Sequence, residues 1–117
     1  MKLLLTFAVA AAALAMAATA SPMAAPKLTG TVGPGFTISL KKAGKAVRTL
    51  KAGRYTFVVS DKAAIHNFEI EGPKLHREIT SVSFRGRKTV TLTLRKGTYK
   101  YYCAPHESTM HGSFRVT

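Results

Sequence analysis

From residue 36 onward, apolar side chains recur at every second position. Phe36, Ile38 and Leu40 alternate with Thr37, Ser39 and Lys41, and Tyr55, Phe57 and Val59 alternate with Arg54, Thr56 and Val58. Val90, Leu92 and Leu94 interleave with threonines, Tyr99 and Tyr101 with Thr98 and Lys100, and Phe114 and Val116 with Ser113, Arg115 and Thr117. A period of two sends alternate side chains to opposite faces of an extended chain, so each segment reads as a strand with one apolar face. Turn-forming groups separate the segments: Gly33-Pro34-Gly35, Lys42-Ala43-Gly44-Lys45, Lys51-Ala52-Gly53, Glu71-Gly72-Pro73, Arg85-Gly86-Arg87 and Arg95-Lys96-Gly97. Seven or eight short strands in about 90 residues predict an all-β Greek-key sandwich. The segment 74–84 has no clear alternation and carries the weakest strand assignment. No sustained helical period follows residue 20, and no internal repeat is present.

The start of the chain has a different character. Lys2 precedes an apolar run from Leu3 to Ala17, and Ala18-Thr19-Ala20 matches the small-residue pattern of a cleavage site. Residues 1–20 are therefore expected to be a signal peptide, with Ser21 as the new N-terminus. The apolar run is Ala-rich and shorter than the roughly 20 residues that span a bilayer. Residues 21–27 read as a flexible leader, and 28–117 as one domain. The expected location is outside the cytoplasm, periplasmic or at the cell envelope or beyond.

Export makes the cysteine count informative. Small exported domains often rely on disulfides, but Cys103 is the only cysteine and forms no internal bridge. A lone thiol in an oxidising compartment is exposed to oxidation, and metal ligation would protect it. The net charge is +13. Such a charge favours encounter with acidic proteins or an anionic envelope surface. Nucleic acid is not an expected partner, because the chain is expected to be exported and lacks an aromatic-basic binding motif.

Cys103 sits in Tyr102-Cys103-Ala104-Pro105-His106-Glu107-Ser108-Thr109-Met110-His111-Gly112. Taken singly, Cys103 reads as a small buried hydrophobe, His106 as a loop residue and Met110 as core filler. Taken together, a thiol, an imidazole and a thioether within eight residues form a donor set for copper. A cysteine with two histidines and a weak axial methionine is the ligand set of a blue-copper site. The same thiolate and imidazoles also suit zinc. Pro105 stiffens the loop and removes a backbone donor. His66 is the candidate second histidine; it shares the apolar face of Phe68 and Ile70, as Cys103 shares that of Tyr99 and Tyr101. His66 opens its strand and Cys103 closes its own, so the site calls for a loop or bend that carries His66 to the pole of the 103–110 loop. His76 reads as a solvent-exposed loop residue. His111 is an alternative axial donor to Met110, against its plainer reading as a solvated residue opening the last strand. A catalytic thiol with His106 as its base would leave Met110 without a role.

These residues carry a resemblance. Gly33-Pro34-Gly35-Phe36, Ile65-His66-Asn67-Phe68, Gly97-Thr98-Tyr99, Cys103-Ala104-Pro105-His106 through Met110, and Gly112-Ser113-Phe114 resemble the small blue-copper proteins, or cupredoxins, of the plastocyanin, amicyanin and pseudoazurin type. The likeness covers nearly all of residues 28–117. It implies one type-1 copper held by His66, Cys103, His106 and Met110, with no enzymatic activity and a monomeric electron carrier cycling Cu(II)/Cu(I). It further implies that Asn67 ties the two ligand loops together, that His106 is the solvent-edge ligand, and that Pro105 and Gly33–Phe36 form an apolar rim. An acidic redox partner of the cytochrome or copper oxidase type is expected. The alternative reading is a copper delivery or sequestration module using the same ligands.

Overall fold

The first strand, β1 (Lys27–Val32), runs antiparallel to β2 (Ile38–Lys42) and parallel to β5 (Gly53–Asp61). The computed structural model describes residues 8–14 and 24–117. The expected cleavage motif at 18–20, and Ser21, lie outside the described residues. Lys27, placed in the leader by the sequence, opens β1 and is in register with Thr56.

Two five-stranded sheets form the domain. The first has the order β3-β2-β1-β5-β8, with β3 at Lys45–Ala46 and β8 at Gly86–Leu94. The second has the order β4-β10-β9-β6-β7. Its strands are β4 (Thr49–Leu50), β6 (Phe68–Gly72), β7 (Leu75–Thr80), β9 (Gly97–Tyr102) and β10 (His111–Val116). The all-β sandwich is the one expected. Ten strands are present among the described residues where seven or eight were anticipated, because two of them are two-residue pairings too short to show a period. Segment 74–84 does contain a strand. β7 is an edge strand with its first four residues wholly or partly exposed, so one-sided burial never imprinted an alternation on it.

The apolar faces meet between the sheets. Leu28, Leu40, Phe57, Val59, Leu92 and Leu94 from the first sheet pack with Phe68, Ile70, Tyr99, Tyr101, Phe114 and Val116 from the second. Tyr99 stacks on Phe114 at 5.3 Å and Phe68 on Tyr101 at 5.9 Å between ring centroids. The rings lie across neighbouring glycines. A β-carbon at Gly112 would overlap the ring of Tyr101, its partner in register, and one at Gly72 would overlap Tyr99. The Tyr99 hydroxyl accepts from the backbone N–H of Arg95 at 2.8 Å and donates to its carbonyl at 3.0 Å, pinning the β8–β9 turn.

Two pairings set the position of the ligand candidates. β6 runs antiparallel to β9 with Glu69 opposite Tyr102. The start of one strand therefore lies beside the end of the other, and His66, in the loop that enters β6, reaches the pole of Cys103 by the kind of loop anticipated from sequence. A register shift at Phe68/Glu69 in the β6–β7 pair bulges the chain where it enters the sheet; bulges of this kind re-aim adjacent side chains.

On the face of β9 away from the core, Tyr102 packs beside Glu71 and His76, with its hydroxyl donating to Glu71 Oε2 at 3.3 Å. Burial first, then the charges of Glu69 and Glu71, push its phenol up to about 12 from 10.0. The unfolded chain then releases this proton first, so native stability is whole below pH 10 and declines as pH rises toward 12. Urea unfolding between pH 9 and 12, as about the range that brackets both values, checks this: Tyr102→Phe is expected to flatten part of that decline.

Candidate metal centre

Cys103 follows the last residue of β9 and begins an eight-residue loop, 103–110, that closes on itself. Its N–H donates to the Met110 carbonyl at 3.0 Å, and its carbonyl accepts the His106 N–H at 3.1 Å. The His106 carbonyl in turn accepts the Met110 N–H at 2.8 Å. Ala104–His106 form a single 3₁₀ turn, with Pro105 inside its first turn, where a missing N–H costs no hydrogen bond. The loop is thereby fixed by its own backbone, and His106 is held three residues from Cys103 on the same turn.

The second histidine comes from the connection between β5 and β6. Asp61 Oδ1 accepts the N–H of Ala63 at 3.3 Å, and the Ala63 carbonyl accepts the N–H of His66 at 3.3 Å. This tight turn delivers His66 to the interior, fully buried, although it precedes the strand by two residues. Asn67 is buried too, so the alternation that set it opposite His66 ends at the strand boundary. Its side chain spans the centre: Oδ1 accepts the Ala104 N–H at 2.7 Å and Nδ2 donates to Glu78 Oε2 at 3.0 Å. The residue after one candidate ligand thus holds the residue after another.

Three donor atoms converge. Cys103 Sγ lies 3.7 Å from His66 Nδ1 and 3.6 Å from His106 Nδ1, and the two ring nitrogens are 3.1 Å apart. A point equidistant from all three lies about 2.0 Å from each, close to metal–imidazole and metal–thiolate bond lengths. His66 and Cys103 are buried and His106 half-buried, so the cluster meets solvent on the His106 side. The donor chemistry, two nitrogens and a thiol sulfur, fits copper. Met110 is fully buried where the loop rejoins β10. His111 opens β10, is exposed, and has its Nδ1 2.7 Å from the Glu107 carbonyl, outside the cluster. His76 is exposed on β7, in a strand rather than a loop, with its ring 3.4 Å from Glu69.

Phe36 departs from its expected place. Its alternation with Ile38 and Leu40 put it on the core face, but it lies in the loop before β2 and is 55% exposed. Its ring stands edge-on to both imidazoles, 5.3 Å from His66 and 4.9 Å from His106. It covers the solvent side of the donors, the rim position the resemblance implied. Pro34, Ile65 and Pro105 are also exposed in the loops around the cluster.

The buried polar residues were not foreseen as a set. Asp61, His66, Asn67 and Thr80 are the buried polar side chains among the described residues, and all belong to this end of the sandwich. Thr80 Oγ1 accepts the Phe68 N–H at 3.0 Å. Burial pushes the Asp61 carboxyl up, against the opposing pull of the Thr80 hydroxyl, the Ala63 N–H and the neighbouring His66. The signal available in sequence was an acidic residue ending the apolar run Tyr55–Asp61, five positions before His66.

Comparison with known proteins agrees with this geometry. A family model described as copper binding proteins of the plastocyanin/azurin family matches residues 37–117. In structure, the chain is similar to auracyanin A, a blue copper protein of the green thermophilic photosynthetic bacterium Chloroflexus aurantiacus, with a TM-score of 0.54 and 20% identity over 78% of this chain and 98% of that one. It is similar to the copper protein rusticyanin, with a TM-score of 0.52 and 21% identity over 78% and 76%. A Cu(I) form of an amicyanin variant gives 0.51 and 16% over 79% and 83%. At these identities the solved structures speak for the fold. No curated protein matches the chain in sequence.

Asn67→Ala removes the acceptor of the Ala104 N–H and the donor to Glu78 together. Losing these two part-buried hydrogen bonds is expected to cost about 1–3 kcal/mol, read as a lower urea midpoint, with faster amide hydrogen exchange at Ala104.

Proposed function

The chain belongs to the plastocyanin/azurin family of copper-binding proteins, and from that premise we propose that it is an exported one-electron carrier. The observation that carries this reading is the convergence of Cys103 Sγ, His66 Nδ1 and His106 Nδ1 on one point. In this reading those three atoms would hold one type-1 copper, with the Met110 thioether as a further, weaker donor. Copper bound there supplies a one-electron couple between Cu(II) and Cu(I).

The rest of the work falls to the chain. The loop bonds among Cys103, His106 and Met110, and the Asn67 bridge to Ala104, keep the donors in one arrangement. A site that does not rearrange suits both oxidation states and favours transfer over release, which is the feature that sets this reading above delivery or sequestration. Burial of Cys103 shields the thiolate from oxidants. His106 is the half-buried ligand, so its edge, framed by Phe36 and Pro105, is the proposed exit for the electron.

The surface charge supports an acidic redox partner of the cytochrome or copper oxidase type. The exposed basic residues separate by pole. Ser60 and Asp61 pair with Arg87 and Gly86, which sets Arg85, Arg87 and Lys88 at the end that carries the donors. Arg54 pairs with Thr93, which sets it and Arg95 toward the far end. The first group is therefore the proposed docking field, steering an acidic partner toward His106 and losing force as salt rises.

Residues 21–117, the proposed exported form, titrated with Cu(II) test the reading. An intense red-region band is expected, saturating at one copper per chain and bleaching reversibly with reductant; a colourless protein or a weak nitrogen-and-oxygen band would overturn it. Cys103→Ala should abolish the band while far-UV circular dichroism stays that of a β-sandwich. Met110→Leu should keep the band and raise the reduction potential, because losing a weak axial donor removes stabilisation from Cu(II) more than from Cu(I).

A further inference from the structure

His66 has a second ring nitrogen, and its surroundings are unusual. With Nδ1 turned to Cys103 and His106, Nε2 faces the protein interior and has no hydrogen-bond partner among the described residues. One other buried side-chain atom is in the same condition: Oδ2 of Asp61. Asp61 is 2% exposed and His66 0%. A carboxylate oxygen and an imidazole nitrogen, both withdrawn from water and both unpaired, lie at the two ends of one short turn.

That turn brings them to the same place. Asp61 Oδ1 holds the N–H of Ala63, and Ala63 holds the N–H of His66 through its carbonyl. The Cδ2 edge of the His66 ring, next to Nε2, faces Gly33 and Ala63: a β-carbon built at Gly33 would stand 3.1 Å from Cδ2 and 3.3 Å from Ala63 Cβ. Gly33 thus stands against both the ring edge next to Nε2 and Ala63, whose N–H the carboxylate holds. The Thr80 hydroxyl and, as a smaller influence, His66 also act on the Asp61 carboxyl.

We propose that Asp61 is the positioning residue of the metal centre, its Oδ2 accepting the Nε2–H of His66 through one water, or directly once metal binding draws together two atoms that are not bonded here. The inference rests on His66 being a copper ligand through Nδ1. A ring bound to metal at Nδ1 carries its proton on Nε2, which makes that nitrogen an obligatory donor, and a carboxylate is an acceptor only. Metal-bound histidines characteristically give this proton to a carboxylate, a backbone carbonyl or a water, which fixes the ring and raises its basicity. Here the bond fixes the ring plane of the one ligand that no backbone loop constrains on its far side. It also sets a negative charge behind the ligand, which favours Cu(II) over Cu(I).

Asp61 also has a structural role, since its Oδ1 accepts the Ala63 N–H, and a change confined to Oδ2 separates the two roles. Asp61→Asn keeps Oδ1 for Ala63 but sets an amide N–H₂ where Oδ2 stood, so a donor meets a donor.

The test compares Asp61→Asn with the unaltered protein in three measurements. Cu(II) affinity, read by competition with a chelator, is expected to fall about 10–100-fold; the reduction potential is expected to rise; and the urea midpoint of the metal-free protein is expected to hold or increase. Equal affinity and potential in the two proteins would overturn the proposal, as would a loss of affinity explained wholly by a lower midpoint of the metal-free variant. A second readout needs no variant. In the Cu(I)-loaded protein with ¹⁵N-histidine, the His66 Nε2–H is expected to exchange slowly with solvent, and a crystal structure of that form should set Oδ2, or a water bonded to it, about 3 Å from Nε2. An Nε2–H donated to a backbone carbonyl would overturn the assignment. If the unaltered protein forms no red-region band with Cu(II), it is the electron-carrier reading that fails; a normal band with an indifferent Asp61→Asn faults Asp61 alone.

Discussion

The antiparallel pairing of β6 with β9 is the constraint on which the centre depends. With Glu69 opposite Tyr102, the residue that enters one strand and the residue that leaves the other are neighbours. His66 and Cys103 are 37 positions apart in the chain, and closing a loop of that size has an entropic cost that grows only slowly with length. The sheet bears that cost through its ladder and core. The centre then needs only short-range devices: the self-bonded loop from Cys103 to Met110, the Asp61–Ala63–His66 turn, and the Asn67 bridge between them. Ligands that share a strand end move together, which is why a small sandwich without a disulfide can hold three donors in one arrangement.

Much of this was legible in the residues, for identifiable reasons. The central strands show a clean period of two because one face packs against the opposite sheet and the other meets solvent or a partial cover. The loop from Cys103 to Met110 was legible because its three donors lie close together in sequence, so spacing alone brings them near. His66 was harder, since its place depends on a pairing between strands that sequence does not display. Sequence reasoning asked for a loop or bend there, and the antiparallel ladder together with the Asp61–Ala63–His66 turn supplies it.

The parts that stayed hidden share a physical cause. β7 lies at a sheet edge, and the charged residues Arg77 and Glu78 on it serve an edge strand well by discouraging pairing with another chain. They also erase the alternation by which a strand is recognised. Phe36 kept the alternation but not the strand: a few residues of correct pattern carried past the point where the backbone leaves the sheet, and its ring went to the imidazoles rather than the core. Asn67 shows the same limit at the same end of the molecule, buried next to a buried neighbour because it lies before β6 begins, where the period no longer holds. Periodicity reports regular backbone, and functional residues gather where the backbone stops being regular.

That gathering also explains the distribution of polarity in the interior. A sandwich this small has few apolar side chains to spare, and each buried polar group costs free energy unless it is paired. All four buried polar residues of the described chain nevertheless sit at one end, around the donors. Asn67 and Thr80 are satisfied by backbone N–H groups of Ala104 and Phe68, so they pay their way in ordered structure. Asp61 and His66 each keep one unpaired atom. Asp61 Oδ1 serves folding by accepting the Ala63 N–H; its Oδ2 is the atom for which the proposed bond supplies a partner, since a cation held at His66 Nδ1 would make Nε2 a donor. On that proposal the aromatic core supports the loaded and metal-free proteins alike, and Asp61 contributes differently to the two.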